Sequence, residues 1–410
     1  MTRRHIYIIV LLLMQVLAGS GCLVNPDDEH VLGTSVPTSF QKPKPPLVCA
    51  YLHIGTRNLE AANIDLEGVD FVNMAFTAIK NNRMALLHEG DSKNFMITKK
   101  LKRKYPSIKV LVSVGGYGTS KSFSQMASDS ASRATFVDDA VKFVRHYGMD
   151  GIDLDWEFPG LEKSTRETDR VSFTALISEL RRELNKVSRI DGKHYYLTVA
   201  SGAFDLYLHY IEPLRIVDLV DYFHIMTYDF YGQWNSYTGH HANLFPSAQR
   251  PNGYSVKRIT DIYIKSGIPR EKIVIGAAFY GREWSGVDAT NNGLYRPGKG
   301  VGSVSYKNIK AMLSSKSGYV PYWDAKAKAP YMYNAATKRF ISYEDANSAR
   351  MKVNYAYAHR LGGIMYWEHF SDSDGELAGT IIRQAGTLRG DFPLFTLPGG
   401  FVLYCKKNGK

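Results

Sequence analysis

The residues best suited to chemistry lie in Gly148-Met-Asp-Gly-Ile-Asp-Leu-Asp-Trp-Glu-Phe-Pro-Gly160, where acids recur at Asp150, Asp153, Asp155 and Glu157. Read as a β-strand, this stretch puts Asp153, Asp155 and Glu157 on one face and Ile152, Leu154 and Trp156 on the other. Neighbours on the acid face stand roughly 6.6 Å apart along the strand, so their side chains approach hydrogen-bonding distance. Like charges in a partly dry site raise one another's pKa and cost stability, so an ordinary solvated strand has no reason to carry such a row. Proton transfer supplies a reason: a carboxyl kept protonated near neutral pH can donate to a leaving oxygen. Two blander readings compete. A hard cation takes about six to eight oxygens from several directions, whereas one strand offers its ligands in a line. A merely structural acidic strand accounts for still less.

The elements that would position this row alternate. Apolar, strand-like runs occur at 48–53, 71–78, 109–115, 151–157, 195–200, 220–228, 272–280 and 362–367. Between them lie runs at helical spacing, such as Phe136, Ala140, Phe143, Val144 and Tyr147, or Phe173, Leu176, Leu180, Leu184 and Val187. This alternation builds a parallel sheet with crossover helices, and eight strands predict closure into a TIM (β/α)8 barrel, an α/β fold. A barrel takes about 250 residues plus insertions, which suits a catalytic domain over 47–390. The interval 283–345 breaks the alternation and reads as a small α+β insertion after the seventh strand.

In such a barrel the C-terminal strand ends carry the active site. Four of them hold unusual residues: Ser113-Val-Gly-Gly-Tyr117, Met226-Thr-Tyr-Asp229, Phe279-Tyr-Gly-Arg282 and Gly362-Gly-Ile-Met-Tyr-Trp367. Arg282 is suited to orienting a neighbouring acid or donating to sugar oxygens. Trp367 offers a flat apolar face to a sugar ring, with core packing as the alternative. Tyr228 and Asp229 are sequence neighbours and reach one site together only at a strand's end. A turn glycine pair at 115–116, and a core tyrosine beside a surface acid at 228–229, are the alternatives there. Trp156 has the opposite parity to Glu157 and is expected in the barrel wall.

The pattern Asp-x-x-Asp-x-Asp-x-Glu followed by Phe158-Pro-Gly160 resembles the signature of the family 18 glycoside hydrolases, the chitinases and their relatives. Ser-x-Gly-Gly at 113–116, Met-x-Tyr-Asp at 226–229, Trp367 and the insertion agree in family order, so the resemblance covers 48 to about 389. It implies retaining hydrolysis of β-1,4 bonds between N-acetylglucosamine units of chitin or chitooligosaccharides. Glu157 would protonate the glycosidic oxygen while the substrate's own 2-acetamido group attacks, an exception to the usual two-carboxylate scheme. The resemblance also implies that Asp155 stabilises the resulting cation and that Asp153 shares a proton with Asp155. Tyr228 would bond the acetamido carbonyl, Asp229 would support the same sugar and Trp367 would floor it. Tyr51, Gly116, Tyr117, Phe158, Met226, Tyr280, Arg282 and Trp367 form the expected sugar-binding set. No metal or organic cofactor is required. An endo-β-N-acetylglucosaminidase acting on glycoproteins shares the four-acid motif, and lectins of the family have lost the acid that Glu157 retains here.

The termini read differently. Arg3, Arg4 and His5 precede a largely apolar run over 6–17 and small residues at 18–21, which is a secretory signal peptide over 1–21. That run falls short of the ~20 apolar residues that span a bilayer. Cys22 resembles the lipidated cysteine of bacterial lipoproteins, although Gly19 stands where that signal usually has Leu, so export with a lipid anchor is one expectation and free secretion the other. Residues 22–46 carry five prolines and read as an extended tether, and 391–410 is a tail without a reading. Three cysteines in 410 residues exclude a disulfide-built scaffold, and Cys49 and Cys405 are left as a candidate pair. Net charge is +12, with a cluster at Lys99, Lys100, Lys102, Arg103 and Lys104. No interleaved aromatics or nucleic-acid motif accompany it, so it reads as a solvated helix face and no nucleic acid is expected. A monomer is expected.

Overall fold

The computed structural model describes residues 43–389 and three short strands, Leu23–Val24, Leu394–Thr396 and Val402–Tyr404. The three pair antiparallel in a small sheet, in which Tyr404 stands opposite both Leu23 and Leu394. The expected signal peptide, Cys22, Cys405 and most of the tether and tail lie outside the described residues. Cys49 is fully buried with its thiol free.

Eight parallel strands form the barrel: β1 (Leu47–His53), β2 (Phe71–Lys80), β3 (Lys109–Gly115), β4 (Gly151–Asp155), β5 (Tyr196–Ser201), β6 (Tyr222–Ile225), β7 (Ile273–Ala278) and, after the insertion, β13 (Gly363–Trp367). Each pairs with the next, and β1 pairs with both β2 and β13, which closes the ring. Every residue of β4 and β7 is buried, as strands covered on both faces require. All eight sequence runs become strands, but three end early. The fourth stops at Asp155 rather than 157, the sixth at Ile225 rather than 228, and the seventh at Ala278 rather than 280.

The helices follow the apolar spacing. Helix α1 (Ser130–Tyr147) buries Phe136, Ala140, Val144 and Tyr147. Its start is fixed by the Asp129 carboxylate, which accepts from the N–H groups of Ala131 and Ser132. It ends at Gly148, whose φ of 69° is the left-handed geometry that favours glycine. Helix α2 (Arg166–Asp191) buries Phe173, Leu176, Leu180 and Leu184. Trp156 lies between the barrel and these helices, stacked at 5.1 Å on Phe123 and edge-on to Phe173.

After β7 a single residue, Phe279, leads into the insertion. Strands β8 (Tyr280–Ser285), β9 (Lys299–Ser305), β10 (Val320–Asp324), β11 (Ala329–Asn334) and β12 (Arg339–Ser342) form an antiparallel sheet in the order β9-β8-β12-β11-β10, with helix α3 (Tyr306–Ser314) between β9 and β10. Trp284, Val287, Leu294, Tyr331, Tyr333 and Phe340 give it a core of its own. Helix α4 (Ala346–Ala358) returns the chain to β13.

Part of the basic cluster is used inside the fold. Lys102 pairs with Asp150 at 2.5 Å, and Lys104 donates to the carbonyls of Ala62 and Ile64, each at 3.1 Å. No described helix is long and apolar enough to cross a membrane.

Candidate active site

The acid row begins inside the barrel. Ser113, Asp153 and Thr198 are Cα partners across β3, β4 and β5, so in-register parallel pairing sets three polar residues at one level. Asp153, with no exposure, accepts from Thr198 Oγ1 at 2.6 Å, Ser113 Oγ at 2.7 Å and Tyr51 Oη at 3.0 Å. Asp155 is different. It is also buried, yet its Oδ1 has no hydrogen-bond partner among the described residues. Burial first, then the charges of Glu157 and Asp153, push its carboxyl well above the usual range. Glu157 stands two residues beyond the end of β4, half-buried at the barrel mouth. Burial first and the Asp229 charge second raise it to about 7. Such a carboxyl holds a proton at neutral pH and can release it, which is the requirement for a general acid. Asp155 feels the charge of Glu157 directly, so these two carboxyls titrate as a pair.

Asp150, the first acid of the motif, is not in this row. It sits before β4, accepts from Val110 N–H at 3.0 Å and pairs with Lys102 and Lys193, so its work is to fasten the far end of the barrel.

Tyr228 and Asp229 reach the mouth together because β6 ends at Ile225 and Asp229 adopts a left-handed φ of 59°. That conformation reverses the strand parity and is tolerated best by Gly, Asn and Asp. The Tyr228 hydroxyl has one weak contact, Met365 Sδ at 3.9 Å, which leaves its proton free to donate elsewhere. Asp229 is clamped by Arg282, Nε to Oδ1 at 2.7 Å and Nη2 to Oδ2 at 2.6 Å, and by Tyr280 Oη at 2.8 Å. Burial pushes the Asp229 carboxyl up, but His241 and Arg282 outweigh it and hold it at about 2. His241 Nδ1 is 3.8 Å from Oδ1, so that contact is electrostatic rather than a hydrogen bond.

The expected sugar-binding set divides. Trp367, the last residue of β13, is half-buried; it stacks on Phe76 at 5.3 Å and meets His53 at 5.5 Å. Tyr117 is 91% exposed, and Phe158 rests edge-on against Phe204 and Tyr207. Tyr51 is 2% exposed and its hydroxyl serves Asp153 and His224, so the structure places it under the acids rather than on an open surface. Gly116 donates its N–H to Asp155 O at 2.9 Å, and an added Cβ would come within 2.8 Å of the Phe76 ring, so its place is set by close packing. Met226 is part-buried against the barrel core, while Tyr280 and Arg282 hold Asp229.

Sequence reasoning passed over a polar interior. His224 Nδ1 lies 3.0 Å from Tyr51 Oη, 3.1 Å from Asn73 Nδ2 and 3.7 Å from Asp153 Oδ1. Burial pushes this imidazole down while Asp153 pulls it up, with a net lowering. The signal was present: Asn73, Thr198 and His224 interrupt apolar runs at inward positions. Away from the acids, a cavity of about 660 Å³ is lined by Asp205, Lys257, Arg258 and Asp261. Four of its charges pair among themselves, Arg258 with Asp205 and Lys257 with Asp261.

Residues 47–372 match the model of the glycosyl hydrolases family 18. Chitinase A1 of Niallia circulans is 40% identical over 297 residues, which cover 68% of this chain but only 42% of that protein's length. Chitinase B of Serratia marcescens is 30% identical over 380 residues, covering 73% of this chain and 75% of that one. Among solved structures, a family 18 N-acetylglucosaminidase from Paenibacillus barengoltzii superposes with a TM-score of 0.76 at 34% identity, covering 83% of this chain and 99% of that one.

Proposed function

The chain belongs to the glycosyl hydrolases family 18, and from that membership we propose that it is a chitinase, hydrolysing β-1,4 linkages between N-acetylglucosamine units with retention, as a monomer. One observation carries this reading: Glu157 stands at the barrel mouth with its pKa raised to about 7, beside a buried Asp155 whose Oδ1 has no partner among the described residues. The acetamido N–H that arrives with the substrate is a donor suited to this acceptor.

Glu157 gives its proton to the glycosidic oxygen as the C–O bond breaks. The acetamido carbonyl oxygen attacks the anomeric carbon from the opposite face and closes an oxazolinium ring. The Asp155 carboxylate pairs with the cation through the ring N–H, and the Tyr228 hydroxyl donates to the acetamido oxygen before attack, which holds the group near its reacting position. Water then adds to the anomeric carbon from the face the leaving group vacated and returns a proton to Glu157. Two inversions give net retention.

Chitin oligomers cleaved in an NMR tube should therefore release the β-anomer first. An oligomer with glucosamine in place of N-acetylglucosamine before the cut should resist cleavage, because it brings no nucleophile. An α-anomer, or ready cleavage of the deacetylated oligomer, would exclude the acetamido route. The likeness to an N-acetylglucosaminidase supports a second reading with the same chemistry on other glycans, and rates on chitin oligomers against a panel of glycoproteins separate the two.

The N-terminal residues support export through 1–21 with an acyl anchor on Cys22. The mass of the mature N-terminal peptide decides it. A diacylglyceryl adduct on Cys22 is expected, and an unmodified cysteine, or a chain that starts beyond it, rules the anchor out.

A further inference from the structure

We propose that Thr227 is a positioning residue for Tyr228 and Asp229, acting through a two-way hydrogen bond to the backbone of Gly276; the proposal rests on the roles given to those two residues above. Backbone pairing of β6 with β7 stops at Ile225 opposite Ile275. Beyond it the chain folds on itself. Thr227 N–H donates to Ile225 O at 2.7 Å and Tyr228 N–H to Met226 O at 2.6 Å, so neither donor crosses to β7. The Thr227 side chain crosses instead. Its Oγ1 accepts from Gly276 N–H at 2.7 Å and donates to Gly276 O at 2.9 Å, with the residue fully buried.

Gly276 is a firm anchor. Its carbonyl also accepts from Lys352 Nζ at 3.1 Å, and Lys352 is ion-paired with the buried Glu344, which in turn accepts from Ala278 N–H at 2.9 Å. A buried pair with its remaining valences satisfied holds one geometry. The anchor touches the site directly as well. An added Cβ on Gly276 would lie 2.8 Å from Tyr228 Cε1, so the tyrosine ring lies directly against this glycine. Two residues after Thr227, Asp229 makes its left-handed turn toward Tyr280 and Arg282. One hydroxyl thus pins the residue that leads into two neighbouring side chains facing the site, where no backbone N–H of Thr227 or Tyr228 crosses to β7.

A purely structural role, satisfying buried backbone groups, predicts a lower melting temperature and nothing else. The positioning role predicts more. Thr227→Val keeps the shape and removes the hydroxyl. Misplacement of reacting groups by about 1 Å costs ~10²-fold, so kcat on chitotetraose should fall by roughly 10- to 100-fold with KM little changed. Thr227→Ser should restore most of it. In a Tyr228→Phe background, where no hydroxyl remains to be misplaced, the same valine should cost far less than in the wild type, because residues acting as one unit are not additive.

Additive losses in this cycle, or a serine variant as poor as valine, overturn the proposal. Should the valine variant fail to fold, Thr227→Ala at the same position is read by the same cycle and the same criteria. If the wild-type enzyme cleaves no chitin oligomer, the reaction reading has failed on its own account. The cycle is then read from kcat on the glycoprotein glycan that the wild type does cleave, where coupling between 227 and 228 supports the positioning role and additive losses remove it.

Discussion

Glu157→Gln should remove hydrolysis of chitin oligomers and leave their binding nearly intact. The amide has the size of the carboxyl, so packing at the mouth is undisturbed, but it has no acidic proton for the glycosidic oxygen. A positioned general acid contributes about 10²- to 10⁴-fold, and a loss in kcat of that order should be read by reducing-end assay, with the dissociation constant for chitotetraose held within a few-fold. In the wild type the same group sets the pH response. Its pKa is raised to about 7, so the competent, protonated form prevails below that pH and is lost as pH rises through it; kcat/KM should fall on the alkaline side with a midpoint near 7. Asp229→Asn removes the second cause of the shift and should move that limb to lower pH. Near-wild-type turnover by the glutamine variant would end the assignment of the acid.

Asp155→Asn should cost about 10²- to 10³-fold in kcat, the size found when one preorganised electrostatic partner is removed from a developing charge. Burial and two acidic neighbours oppose the charge of Asp155 and hold its pKa raised. An oxazolinium cation reverses that balance by placing a positive charge against Oδ1, the atom that has no partner among the described residues. The carboxylate is thus stabilised by the intermediate and stabilises it in return. An asparagine carbonyl can accept the N–H but carries no charge. Single-turnover cleavage separates this loss from weaker binding, and a loss below tenfold would remove Asp155 from the chemistry.

The barrel was legible because its strands are largely buried on both faces and so read as mainly apolar runs, broken by only a few polar residues. Their ends were not legible in the same way. β4 stops at Asp155 and β6 at Ile225 because their backbone pairing with neighbouring strands ends there, and that pairing depends on residues distant in sequence. Strand parity placed Trp156 in the wall correctly, although Glu157 itself lies beyond the ladder. Asp150 belongs to the four-acid pattern but not to the row of three, and its position before β4 gives it to Lys102 and Lys193. The hydroxyl set around Asp153 was hidden for a related reason. Ser113, Asp153 and Thr198 are some forty residues apart in the chain, and only the in-register pairing of three strands makes them neighbours. Tyr51 carried the look of a sugar platform in sequence, whereas its burial turns it into a support for that set.

The strand that opens the insertion, β8, supplies both Tyr280 and Arg282 to Asp229, and the Asp229 charge is felt at Glu157. The accessory sheet is thereby wired into the proton chemistry of the barrel. A lineage that trimmed or exchanged it would change the acidity at which the enzyme works even if every barrel motif were kept, so working pH is a trait inherited through the accessory sheet as much as through the barrel.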